Sequence, residues 1–154
     1  MAASVGTSRL VERELVIKRV FNAPRDLVFK AWTDPDHIAK WFGPRDHPAR
    51  EVNVDVRPGG QWRGCLRSTE TGNDLWLGGV YREVVPPERL VFTFAWEEEG
   101  ERGLETVVTI TLAEQGEKTL MTFRQVPFQS AGELDGHRGG WTSCFDRLDD
   151  LLQT

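Results

Sequence analysis

Hydrophobic spacing divides the chain into a long run of strands followed by one long amphipathic helix. Between about residues 130 and 152, apolar side chains recur every three or four positions, with charged side chains on the opposite face. The apolar residues at this helical spacing are Trp141, Phe145, Leu148 and Leu152. Before this segment, turn residues separate six β-rich runs, which is typical of an antiparallel meander. The predicted strands cover residues 50–56, 60–67, 75–85, 89–97, 104–113 and 118–126.

The first forty residues predict a strand and two short helices. Alternation favours a strand over residues 12–21. Pro24 opens the first helix at a position where a missing N–H does no harm. Asp34 caps the second helix, Pro35 begins it, and Gly43-Pro44 ends it. Because the strands are grouped together along the chain and do not alternate with helices, the fold class is α+β.

A curved sheet wrapped around one long helix usually leaves space between them, and that space is the main clue to function. The chain has six Trp and eight Phe but one Tyr. These rings either fill a core or line an apolar pocket. Gly139-Gly140 inside the predicted helix costs about 1 kcal/mol per glycine relative to alanine. Close approach of the sheet, room for a ligand, or a helix that begins only near Gly140 would each explain the pair.

Length and charge limit the class of protein. We expect an N-terminal tail over residues 1–10 and a single domain over residues 11–154. A net charge of −5 without any basic run argues against nucleic-acid binding. Apolar runs all fall short of the ~18 residues that a membrane span needs. Cys65 and Cys144 are expected to be reduced in a cytoplasmic protein.

The histidines and cysteines lack the spacing of a metal or catalytic motif, so we predict no metal, no cofactor and no catalytic residue. His37 and His47 are expected to be solvated. His137 precedes or opens the long helix and is a candidate for the mouth of a pocket. This favours a binding protein, with a cyclase- or hydrolase-type enzyme using the same cavity as an alternative.

Several blocks, in this order, give a specific family signature. They are Ala23-Pro24, Val28, Trp32-Thr33-Asp34-Pro35, Trp41-Phe42-Gly43-Pro44, residues 55–62 (DVRPGGQW), residues 79–94 (GVYREVVPPERLVFTF), Gly140-Trp141, Leu148 and Leu151. With these residues the chain resembles the START-like, helix-grip (SRPBCC) superfamily. Within it, the chain is most similar to the branch named after the activator of the heat-shock-protein-90 ATPase (AHSA-type).

The resemblance implies a curved antiparallel sheet of about six to seven strands around the C-terminal helix, with two short helices after the first strand. Many members of this branch are bacterial single-domain proteins. Relatives in the superfamily bind lipids, hormones or polyketides, and some are enzymes. The leading hypothesis is a monomer or homodimer that binds a small hydrophobic or amphipathic ligand. The alternative is an interaction or stress-response module with a chaperone partner.

The candidate cavity residues are the large rings that pattern and resemblance place near the helix. They are Trp41, Trp62, Phe94, Trp96, Phe123, Trp141 and Phe145. Arg124 is added because an arginine inside a cavity would pair with an anionic ligand.

Overall fold

Strands and helices follow the predicted order. The computed structural model of the chain describes residues 13–98 and 101–153. Within these ranges there are eight strands and three helices. The strands are β1 (Arg13–Phe21), β2 (Ala49–Val54), β3 (Gln61–Arg67), β4 (Asp74–Val85), β5 (Arg89–Glu98), β6 (Glu101–Arg102), β7 (Thr106–Gln115) and β8 (Lys118–Phe128). The helices are α1 (Arg25–Thr33), α2 (Pro35–Trp41) and α3 (Ala131–Leu152). The predicted tail, residues 1–10, lies outside the described residues.

The sheet is antiparallel throughout and runs in the order β1-β8-β7-β5-β4-β3-β2. The two-residue strand β6 pairs with the end of β5 and lies off this path. Each consecutive pair among β2 to β5 is a hairpin. The first strand, β1, pairs with the last strand, β8. The predicted α+β helix-grip fold is confirmed. Strand β6 was not predicted, because it falls in a charged stretch that has the composition of a hairpin tip.

The two short helices are held together near the sheet. Asp34 caps α2, since its side chain accepts a hydrogen bond from the N–H of Asp36 at 2.9 Å. The indole N–H of Trp41 donates to the carbonyl of Ala31 at 2.8 Å, which links α2 to α1. Trp41 is fully buried, and Phe42 follows it at the end of the helix. The two short helices are therefore fixed relative to each other.

Helix α3 has two unlike halves. Ser130 caps it by accepting from the N–H of Glu133 at 3.1 Å, so the helix begins well before Gly140. Its buried residues all lie from Trp141 onward, in what is called here its second half; they are Trp141, Cys144, Phe145, Leu148 and Leu152. The first half, residues 131–140, contains no buried residue.

Ion pairs on the outer side of α3 hold it to the rest of the fold. Arg19 of β1 contacts Asp146 at 2.7 Å and Asp149 at 3.6 Å. Arg45 contacts Asp150 at 2.8 Å. These pairs give a structural role to the two neighbouring aspartates, whose position near the helix C-terminus is otherwise unfavourable for the helix dipole.

Candidate functional site

A cavity of about 390 Å³ lies between the first half of α3 and the sheet, within the 300–1,000 Å³ of ligand pockets. Three parts of the chain form its walls: strands β3 to β5, the segment after α2, and α3. The strand residues are Leu66, Leu75, Leu77, Phe94 and Trp96. The segment after α2 contributes Phe42, Gly43, Pro44 and His47. Helix α3 contributes Glu133, Gly136, His137, Gly140, Trp141 and Cys144.

Two glycines of α3 create room for the cavity. Gly136 and Gly140 are one helical turn apart and both line it. A Cβ placed on either residue would meet no other atom within 4 Å, so neither glycine is required for close approach of the sheet. Gly139 is exposed and does not line the cavity. Of the three explanations for Gly139-Gly140, room for a ligand therefore fits Gly140.

Trp96 and His137 are joined by a hydrogen bond on one side of the cavity. The indole Nε1 of Trp96 lies 3.0 Å from Nε2 of His137. An indole N–H can only donate, so Nε2 accepts and the proton of the neutral imidazole sits on Nδ1. Nδ1 then donates to the carbonyl oxygen of Glu133 at 3.0 Å, one helical turn earlier. Both ring nitrogens are thus engaged and the ring is held in one orientation.

Arg147 fixes the wall that follows α2. Its guanidinium donates to three backbone carbonyls, those of Lys40 at 2.9 Å, Phe42 at 3.0 Å and Gly43 at 2.8 Å. These carbonyls lie at the C-terminal end of α2, where helical partners run out. Burial lowers the pKa of Arg147 from its ordinary value. The contact sets the position of Phe42 and Gly43 relative to α3.

A buried polar chain sets the orientation of Trp141. Gln125 of β8 is fully buried, and its Oε1 accepts from the Trp141 indole N–H at 2.8 Å. Its amide nitrogen donates to Thr106 Oγ1 at 2.9 Å, and that hydroxyl donates to the carbonyl of Phe94 at 3.1 Å. The chain therefore connects two ring residues of the cavity through the core. Sequence reasoning missed Gln125, although an amide in the middle of an apolar strand is a signal for such a role.

The thiol in the cavity wall is protonated. Burial raises the pKa of Cys144 to about 12, and burial also raises that of Cys65. Both cysteines are free and buried. Because the thiolate is the nucleophile, a thiol of this kind is unreactive at neutral pH.

The predicted site residues fall into three places. Phe94, Trp96 and Trp141 line the cavity. Four others pack in the core; they are Trp41, Trp62, Phe123 and Phe145. Trp62 donates its indole N–H to the carbonyl of Thr93 at 2.9 Å, which turns its polar edge toward the sheet.

Arg124 does not face the cavity, which corrects the expectation of an inward arginine. It is exposed and its guanidinium lies 3.0 Å from Glu14 of β1. Alternation explains this, because its neighbours Phe123 and Gln125 are both fully buried and Arg124 lies opposite the core.

Sequence reasoning also missed further lining residues, among them His47, Leu75, Glu133 and Gly136. His47 was expected in solvent, but its side chain is 33% exposed and lies in the wall of the cavity, with Nδ1 3.1 Å from Asp46. That contact lowers the pKa of Asp46. The spacing of Gly132, Gly136 and Gly140 at intervals of four is a signal that could have located the open face of α3.

Within the described residues, histidine, cysteine and carboxylate side chains do not group anywhere in a way that could hold a metal ion. None of the helices in this part of the chain has the length and apolar character that crossing a membrane requires.

The family model described as "Activator of Hsp90 ATPase homolog 1-like protein" matches residues 22–153. The chain belongs to this family. None of the curated proteins compared with the chain is a significant match.

Several solved structures share the fold of this chain. Protein CV1439 from Chromobacterium violaceum is 26% identical, with a TM-score of 0.80 over 92% of this chain and 99% of that chain. The AHSA1 protein from Silicibacter pomeroyi is 22% identical, with a TM-score of 0.84 over 92% of this chain and 98% of that chain. DynU16, a protein in the dynemicin biosynthetic locus, is 25% identical, with a TM-score of 0.75 over 92% of this chain and 47% of that chain.

Proposed function

We propose that this protein binds a small hydrophobic or amphipathic molecule in the cavity beneath the first half of α3. The observation that carries the proposal is the pair Gly136 and Gly140, which line about 390 Å³ of space where larger side chains would reduce it. Each glycine costs about 1 kcal/mol of helix stability relative to alanine. A space retained at that cost, with hydrophobic walls, favours a ligand over an incidental packing gap.

The walls are suited to an apolar body. Phe94, Leu77 and Trp141 are almost fully buried on the sheet and helix sides. Leu75 is 42% exposed at the same cavity, so apolar surface extends toward solvent. Each CH₂ group that a ligand buries there contributes about 0.8 kcal/mol. Ring edges and leucine methyl groups define the shape of the cavity, and they require few polar groups of a ligand.

The polar groups in the walls favour binding over catalysis. Both nitrogens of His137 are occupied by Trp96 and by the carbonyl of Glu133. Cys144 carries a neutral thiol because burial raises its pKa to about 12. A histidine base or a thiol nucleophile in this wall would need His137 or Cys144 in a different state.

A fluorescence titration with N-phenyl-1-naphthylamine, a neutral apolar probe that brightens in apolar sites, tests the proposal. We expect saturable binding with one site per chain. The matched variants are Gly140→Leu, which places a side chain in the cavity, and Gly139→Leu, which places the same side chain on the exposed face. Circular dichroism confirms that both variants are folded.

The two variants are expected to differ. Gly139→Leu should bind the probe with the affinity of the unmodified protein, whereas Gly140→Leu should bind about tenfold more weakly or worse, because contacts worth at least 1.4 kcal/mol are lost. Equal affinities for both variants, or the absence of saturable binding to the unmodified protein, would overturn the proposal.

A further inference from the structure

We infer that the cavity selects its ligand by charge: it takes an amphipathic molecule with a protonated amine head and excludes the corresponding carboxylate. The inference rests on the proposed function, since it concerns the ligand of the same cavity. Among the described side chains that line the cavity, the one carboxylate is that of Glu133. Neither lysine nor arginine is among those lining residues.

The carboxylate of Glu133 is available to a ligand. Within the described residues, its backbone N–H and carbonyl have partners in Ser130 and His137, but its carboxylate forms no hydrogen bond or ion pair. Glu133 is half-buried in the first turn of α3. A hydrogen bond between a charged donor and a carboxylate is stronger than a neutral one, and partial burial reduces its screening by salt.

The space next to the cavity repeats this charge pattern. A second cavity of about 520 Å³ adjoins the first, and five residues line both of them. Trp96, His137 and Glu133 are among the shared residues, so the hydrogen-bonded pair Trp96–His137 lies between the two spaces. The charged side chains described in the second wall are Glu97, Glu98 and Glu133. A ligand that extends past His137 therefore meets further acidic groups.

Two basic side chains near the cavities already face carboxylates. Arg63 pairs with Glu97 through two contacts of 2.9 Å and is not in the wall of either cavity. His47 lies 3.1 Å from Asp46, so any positive charge on its ring is balanced there. The positive end of the α3 dipole would attract an anion, but Glu133 itself occupies that first turn.

Three ligands with one chain length separate head-group charge from apolar burial: decylamine, decanol and decanoate. Each is used below its micelle concentration to displace N-phenyl-1-naphthylamine at pH 7.5. We expect decylamine to bind about tenfold more tightly than decanoate, a difference of about 1.4 kcal/mol, because only its ammonium head can form a charge-assisted hydrogen bond with the carboxylate of Glu133. Decanol should fall between them.

The variant Glu133→Gln should remove the preference for decylamine over decanoate. Asp135→Asn is the matched control, because it also removes one carboxylate from the same helix. Asp135 is exposed and lies outside the walls of both cavities. It should leave all three affinities unchanged. The charge inference is overturned if decanoate binds as tightly as decylamine, or if Glu133→Gln and Asp135→Asn behave alike. Failure of the probe itself to bind would overturn the proposed function instead.

Discussion

Trp96 and His137 meet at 3.0 Å through their ring nitrogens, and the contact joins strand β5 to helix α3 beside the cavity. Both residues line the two adjoining spaces, so the hydrogen bond lies in the wall that separates them.

A double-mutant cycle with Trp96→Phe and His137→Phe measures this contact. We expect a coupling free energy of about 1 kcal/mol, the usual net value for a neutral hydrogen bond. Urea unfolding of the four proteins gives the four free energies. If the two substitutions are additive within about 0.3 kcal/mol, the bond contributes nothing to stability.

Gln125→Leu should destabilise the protein by about 1–3 kcal/mol, because it leaves the Trp141 indole N–H unpaired in the core. Gln115→Leu is the control, since Gln115 is exposed at the end of β7. Chemical unfolding of both variants checks the difference. A Gln125→Leu variant as stable as the unmodified protein would contradict the role of the buried chain of hydrogen bonds.

Arg147→Lys should lower the free energy of unfolding by about 2 kcal/mol, because an ammonium group cannot reach all three carbonyls in the geometry of a guanidinium. It should also weaken binding of the naphthylamine probe, since the variant holds the backbone of Phe42 in the cavity wall less firmly. Arg45→Lys is the control and should change stability by less than about 0.5 kcal/mol, because Arg45 and Asp150 are largely exposed. Equal effects of the two substitutions would contradict this account of the wall.

Stability should fall in alkaline solution through the Cys144 thiol. Its pKa is about 12 in the folded protein and near 9.0 when exposed, so the folded state holds the proton more firmly. The contribution is complete below pH 9 and is lost as the pH rises toward 12, by up to about 1.4 kcal/mol per pH unit. Unfolding at several pH values should give a shallower decline for Cys144→Ala. Burial also raises the pKa of Cys65 and Tyr81, so the variant keeps part of the slope.

Gly139→Ala should stabilise the protein by about 0.5–1 kcal/mol, because the residue is exposed inside a helix and an added Cβ meets no other atom within 4 Å. Gly59→Ala should have the opposite sign, since Gly59 has a φ of +85° in a turn. Thermal unfolding of the two variants gives both signs. A loss of stability in Gly139→Ala would show that this glycine has a structural role of its own.

The order of the elements could be predicted because turn residues mark nearly every boundary. The side of the sheet or helix on which each side chain lies could not be predicted. In β5, residues Leu90 to Ala95 are buried on both faces, so alternation alone does not reveal which ones meet the helix. Trp41 and Phe145 are large rings like Trp96, yet they fill the core. Phe145 does so because it lies in the second half of α3, where the buried residues of that helix are found.

The most direct test of the central claim follows the indole N–H signals of the six tryptophans by NMR during titration with N-phenyl-1-naphthylamine. Trp96 and Trp141 line the cavity. Trp32, Trp41 and Trp62 lie in the core, and Trp76 stacks under Arg63 with 4.0 Å between guanidinium and ring. We predict saturable shifts for Trp96 and Trp141 and little change for the other four. Shifts led by Trp76, or no shift at Trp96 and Trp141, would contradict a ligand beneath α3.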